Sequence, residues 1–236
     1  MTVALNILSG GAAQGLVGSL KEAFKAKTGL DIAGEFGAVG AMTDKLRGGM
    51  PTDIIILTAA LVAKLREEGL VTAPSITDVG LVETALAVRS RDSKVNVTDA
   101  DTLRAAFLAS DAIFVPDTKA STAGIHVAKV LDRLEVASDL ATRLQVFPNG
   151  ATAMRHLAAS GFKRPIGCTQ STEIISTEGV VLSGSLPRGC DLATMYTAAV
   201  TTKAAHPRQA QALIDLLTSA DQQELRSRAG FLGGAK

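Results

Sequence analysis

LNILSGGAAQGL, from Leu5 to Leu16, is the stretch from which the rest of the chain is read. A short apolar run reads as a buried strand and ends in Ser9-Gly10-Gly11. The glycines read as a tight turn whose backbone can approach a ligand, and Gln14-Gly15-Leu16 as the first turn of a helix. A helix that opens off a strand presents unpaired N–H groups and the positive end of its dipole, which suits an anion. Alone, the stretch is also what an ordinary βα turn looks like, and its spacing is not GxGxxG.

The pattern recurs. Leu16, Leu20 and Phe24 keep helical spacing to Thr28-Gly29, and Asp31 to Phe36 reads as a second strand closed by Gly37-Ala38-Val39-Gly40. A helix from Met42 to Arg47 stops at Gly48-Gly49. Ile54-Ile55-Ile56-Leu57 is a continuous apolar run of the kind buried on both faces of a parallel sheet, and Thr58 turns it into a helix from Ala59 to Glu68. Three strand-turn-helix units in succession predict a doubly wound α/β lobe, with a crevice at the carboxyl ends of its strands.

Leu81 to Val88 reads as a strand leading, through the polar stretch Arg89 to Asp101, into a second lobe of the same kind. There the expected order is a helix from Thr102 to Ala109, a strand at Ala112 to Val115 and a turn at Ala120 to Gly124 capping a helix from Ile125 to Leu134. A strand at Gln145 to Phe147 follows, then a helix from Ala153 to Ala159 capped by Pro148 to Thr152, and a strand from Ile166 to Thr169 ending at Gln170-Ser171-Thr172. Val180 to Leu182 and Met195 to Val200 are further strands. Two terminal helices, Gln209 to Thr218 and Asp221 to Arg228, are expected to pack back on the first lobe. The predicted fold class is therefore α/β, two doubly wound lobes joined by a two-strand hinge, with residues 1–82 and 195–236 in one lobe and 83–194 in the other.

Composition narrows the function. The 236 residues carry 24 basic and 23 acidic side chains for a net charge of +1, so no concentrated basic surface is expected to recruit nucleic acid or an acidic membrane. Aromatic residues are 3% with no Trp, which argues against stacking platforms for bases or sugars. The expected ligand is small and held by backbone and short polar groups. No apolar run of about 18 residues suggests a membrane span. Cys168 and Cys190 read as core thiols, or as one bridge in an oxidising compartment. No His, Cys or carboxylate cluster has metal spacing, so neither a metal nor a cofactor is expected. A monomer is expected. No charged and apolar leader precedes the first strand: the expected address is periplasmic if a signal peptide has been removed, cytoplasmic if Met1 is the native start.

The order of LSGGAAQGL, GGMPTDIIILTAA, TAGIHVAKVLDRL, RPIGCTQSTEI and the terminal RSRAGF resembles that of the type II periplasmic solute-binding proteins, within them the molybdate-binding subgroup, over essentially the full length. The resemblance implies a clamshell that closes on a small anion and an ABC-transporter permease as partner. It also implies positions for the hydroxyls that hold molybdate: Gly11, a residue near Ala38 or Val39, and Gln170, where the family has a tyrosine. Backbone donors are implied at Ala123 and Ala151. All three hydroxyl positions are changed here, and a site without donors cannot desolvate an oxyanion. The reading therefore favours an organic (poly)carboxylate over molybdate, with Ser9, Thr58 and Thr122 as replacement donors that would keep molybdate open. With Gly10, Asn149 at its helix start and Tyr196 near the hinge, these residues are the candidate ligand contacts.

The same family includes aconitate isomerases, so an isomerase of a small unsaturated polycarboxylate is the alternative. Proton transfer would need a base and charged clamps. His126 in the helix after Thr122, Glu173 beyond Gln170, and Arg155 are the candidates. Each also has a plain structural reading: a packed or solvated histidine, a solvated or capping glutamate, and an arginine that snorkels.

Overall fold

A computed structural model of the chain describes residues 4–233. The chain divides into two compact units. The first holds the described residues up to Val82 and those from Thr194 onward, and the second is Glu83–Ala193.

In the first unit β1 (Ala4–Gly10) passes through a 3-10 turn (Gly11–Ala13) into α1 (Gln14–Thr28), followed by β2 (Asp31–Gly37), α2 (Val39–Arg47), β3 (Ile54–Thr58) and α3 (Ala59–Glu67). β1 lies between β2 and β3, parallel to both, so all three strands end at one edge: Gly10 stands beside Gly37, and Ser9 beside Ile56. Leu5, Ile7, Leu8 and the whole run Ile54 to Leu57 are buried, as expected of strands covered on both faces. α2 begins at Val39, three residues before the expected Met42, because Gly37-Ala38 turns at once with no capping side chain.

β4 (Thr77–Arg89) starts earlier than the expected Leu81 and carries the chain from the first unit into the second. There follow α4 (Ala100–Ala109), β5 (Ala112–Pro116), α5 (Thr122–Arg133), α6 (Ala137–Leu140), β6 (Leu144–Phe147), α7 (Gly150–Ala159), β7 (Pro165–Gln170), α8 (Ser171–Ile175) and β8 (Val180–Ser185). β5 lies parallel between β6 and β7, and β4 pairs antiparallel with both β7 and β8. α4 has a full capping box between Asp99 and Thr102, which sets its start at Ala100. The short helices α6 and α8 were not expected from the sequence.

The chain returns through β9 (Ala193–Val200), antiparallel to β3, then α9 (Pro207–Thr218) and α10 (Gln223–Arg228). Leu213, Ile214 and Leu217 of α9 join the first unit's core with Leu16, Leu20 and Phe24 of α1. Asp53, buried before β3, ties this unit together: its carboxylate accepts the N–H of Asn6 and the N–H of His206, each at 2.8 Å. The second unit has its own core around Phe107, Ile113, Val115, Val127 and Leu131. Cys168 and Cys190 both lie in it as free thiols, so no bridge forms between them.

Candidate functional site

In the first unit the parallel order of β2, β1 and β3 places three strand-to-helix turns side by side. Ser9 is buried, and its hydroxyl donates to the Gly10 carbonyl at 2.9 Å, leaving the oxygen's lone pairs as its remaining capacity. Gly10 is where the backbone is most closely approached: a Cβ there would lie 2.8 Å from Tyr196 Cε1 and 2.8 Å from Val39 Cγ1. Gly10, Val39 and Tyr196 are thus brought together, and glycine is what lets them meet. Gly11 follows at the head of the 3-10 turn. Ala38 precedes α2, and Thr58 precedes α3 and stands opposite Tyr196 in the β3–β9 register. Neither helix start has a side-chain cap, and the Thr58 hydroxyl has no partner among the described residues. Uncapped N–H groups at the positive end of a helix are donors for an anion.

In the second unit β5, β6 and β7 are parallel, so α5, α7 and α8 start from one edge of the sheet. The starts of α5 and α7 differ. Before α5, Ser121 makes no capping bond, and the amides of Thr122 and Ala123 have no partner among the described residues. At α7, the Asn149 side chain accepts the Thr152 N–H at 2.8 Å. The Glu173 carboxylate accepts the N–H groups of Ala151 and Gly150, along with that of Gln170 and the Thr169 hydroxyl at 2.6 Å. The Ala151 amide, expected to meet a ligand, is therefore engaged by an anion belonging to the protein itself.

Glu173 is only 4% exposed, which corrects the reading of a solvated glutamate. It does cap a helix, but α7, some twenty residues upstream, not its own. Burial pushes its carboxyl above the usual range, against the opposing pull of Thr169 and the three N–H groups.

Gln170, at the end of β7, is 3% exposed, and neither its amide nitrogen nor its amide oxygen has a hydrogen-bond partner among the described residues. The buried hydroxyls of Thr84 and Thr172 are in the same condition. Thr84 lies directly across the β4–β7 ladder from Gln170, which puts the two side chains on one face of the sheet. Buried polar atoms without partners are uncommon and ask for an explanation. Thr84 and Thr172 are the residues that sequence reasoning missed. Only the antiparallel register across 86 residues pairs Thr84 with Gln170, and no local motif reports it.

The proposed proton-transfer residues are not assembled with one another. The His126 ring meets the Cys190 carbonyl through Nε2 at 2.8 Å; a carbonyl only accepts, so Nε2 carries the proton in this contact. Arg155 is exposed and donates to the Thr152 hydroxyl at 2.9 Å, the solvated arrangement of its two readings. His156 is exposed and stacks on Phe147 with centroids 4.4 Å apart. Among the described residues no group of His, Cys, Asp or Glu is arranged to hold a metal ion, and no helix is long and apolar enough to cross a membrane.

The pattern of the bacterial extracellular solute-binding proteins matches this chain over residues 5–232. The chain belongs to that family. In fold, this solute-binding protein is a type II periplasmic binding protein, similar to the molybdate-binding proteins, with two α/β units joined by two strands. Its structure superposes on the periplasmic molybdate-binding protein of Azotobacter vinelandii with a TM-score of 0.81 at 15% identity, covering 98% of this chain and all, 100%, of that one. The sulfate-binding protein of Mycobacterium tuberculosis H37Rv is similar with a TM-score of 0.73 at 18% identity, covering 98% of this chain and 86% of that one. In sequence, the solute-binding protein is 26% identical over 237 residues to an aconitate isomerase of a Pseudomonas species, covering 96% of this chain and 87% of that protein.

Proposed function

We propose that this protein binds a small organic anion carrying carboxylate groups and presents it to an ABC-transporter permease. The observation that carries this reading is Gln170. Its buried amide offers two donors and an acceptor that nothing among the described residues uses, and the hydroxyls of Thr84 and Thr172 are equally without partners there. A carboxylate oxygen satisfies the amide N–H groups and the hydroxyls, while a ligand hydroxyl satisfies the amide oxygen. A ligand with acceptors only, whether a bare tetrahedral oxyanion or a carboxylate without a hydroxyl, would leave that amide oxygen orphaned, at a cost of about 1 to 3 kcal/mol, so the amide favours a hydroxylated carboxylate. In the same unit, the amides of Thr122 and Ala123 at the start of α5, with no partner among the described residues, are further donors.

A thermal-shift screen against molybdate, tungstate, sulfate, phosphate, citrate and the two aconitate isomers tests this, because a ligand that binds only the native state raises the melting temperature by mass action. The expected result is stabilisation by polycarboxylates. Stabilisation by molybdate or tungstate alone overturns the carboxylate reading.

The likeness to an aconitate isomerase favours a second reading, proton transfer on such a polycarboxylate. His126, whose contact with Cys190 uses Nε2 alone, is the candidate base; Glu173, enclosed by four donors, and Arg155, out in solvent, do not fit. Incubating each aconitate isomer with the protein and following conversion by proton NMR decides it: conversion lost in His126→Ala makes the protein an isomerase, and no conversion leaves it a binding protein.

A further inference from the structure

We propose that the second unit carries another ligand site, at the end of its sheet opposite Gln170, built for an amphipathic organic anion. A cavity of about 450 Å³ opens there between α4, the loop following β4 and the start of β7. It is large enough for a drug-sized molecule, since ligand pockets run from roughly 300 to 1,000 Å³. β7 enters at Pro165 and leaves at Gln170, so five residues of extended chain, about 16 Å, separate the two ends.

The floor of the cavity is apolar, formed by Val88, Val95, Ala106, Ala109 and Ile166. Its rim is cationic. Arg91, Lys163 and Arg164 border it, and none of the three has an ion-pair partner among the described residues; Arg91 donates only to the Ser160 carbonyl, at 3.2 Å. One carboxylate, Asp92, is on the rim, but it is held by the buried Arg89 guanidinium at 2.6 Å. A second nearby carboxylate, Asp111, is taken up by the backbone N–H groups of Lys163 and Arg164.

Those same bonds make the rim a fixed feature. Arg89 also donates to the carbonyls of Ser160 and Phe162, at 2.8 and 2.9 Å, so the segment bearing Lys163 and Arg164 is pinned from both sides. Uncommitted positive charge around a preformed apolar hollow fits one chemistry: a hydrocarbon or aryl body seated among the aliphatic side chains, with a carboxylate or sulfonate head at the rim. Burial of the body drives binding and the cations select the head group.

The test uses anilinonaphthalene sulfonate as a fluorescent probe of the whole protein, with octanoate and octanol as competitors. The expected result is saturable binding at one site, displaced by octanoate at a concentration at least about tenfold lower than by octanol. The exposed pair Arg91→Glu with Arg164→Glu should weaken probe binding by about tenfold or more with an unchanged melting temperature. Ala106→Trp, which fills the hollow, should abolish it; if that variant fails to fold, the charge-reversal pair decides. No saturable binding, equal displacement by octanol and octanoate, or wild-type binding in the charge-reversal pair overturns the proposal.

Discussion

Glu173 fills the space above Gly150 so completely that a Cβ on the glycine would collide with Glu173 Oε2 and with the Thr169 hydroxyl. A carboxylate from the turn after β7 thereby occupies the first turn of α7, the position where a helix start would otherwise offer its amides to a ligand. The relationship makes Gly150 and Glu173 a structural pair.

Gly150→Ala is expected to lower stability by about 1 to 3 kcal/mol, the usual cost of overpacking, because carboxylate and hydroxyl must both shift. The φ of Gly150 is not left-handed, so the loss would come from the collision and not from backbone strain. Urea unfolding measures it; an unchanged midpoint would mean that Glu173 moves away at no cost.

Glu173 also gives stability a pH dependence. Its carboxyl titrates above its ordinary value of 4.5 in the folded protein, so between 4.5 and that raised value the folded state holds a proton that the unfolded state has lost. Stability from this group is complete below the unfolded value and falls as pH rises through the folded one. Glu173→Gln keeps the oxygen that accepts from the α7 amides and removes the titration. The variant should therefore show a flatter stability curve above pH 4.5 than the wild type; parallel curves would exclude Glu173 as the source.

Cys168 is enclosed in the second unit's core, where burial pushes its thiol up to about 12. The thiolate is the reactive form, so iodoacetamide at pH 8 is expected to leave it unmodified in the native protein and to alkylate it in urea. Intact-mass measurement distinguishes the two, and native labelling at Cys168 would show that the unit opens readily.

Much of this architecture is legible in the sequence because its signals are local. The apolar run Ile54 to Leu57 and the glycine turn after Ser9 each declare a buried strand or a strand-to-helix turn within a few residues. α8 is not legible because five residues opening Ser171-Thr172 are too few to establish a period. Nothing near Glu173 in the sequence separates a buried base from a solvated or capping glutamate, because its partners, Gly150 and Ala151, lie on another helix. The same holds for Thr84, which reaches Gln170 only through strand pairing. Apart from α8, what the sequence conceals is what tertiary structure brings together from afar.

Thr58→Val tests the first unit's donors. The change is nearly isosteric and removes a hydroxyl that has no partner among the described residues, so the melting temperature of the free protein should hold. If Thr58 contacts the ligand, affinity falls by about tenfold, the worth of one hydrogen bond to a charged group. Calorimetric titration with the best ligand from the thermal screen reads both quantities. Loss of stability with unchanged affinity would make Thr58 a structural residue.

Gln170→Leu separates a binding residue from a core residue most sharply, because the two roles predict opposite signs. In the free protein the wild-type amide is buried with no partner on either polar atom among the described residues, so an apolar side chain of similar size should raise stability by about 1 to 3 kcal/mol. In the complex the same amide is expected to bond the ligand, so its removal should weaken binding by about tenfold to a hundredfold. A variant that melts higher and binds worse is the signature of a polar group kept for a ligand. If Gln170→Leu melts lower, the amide has a structural partner, and the argument for a carboxylate at this position loses its foundation.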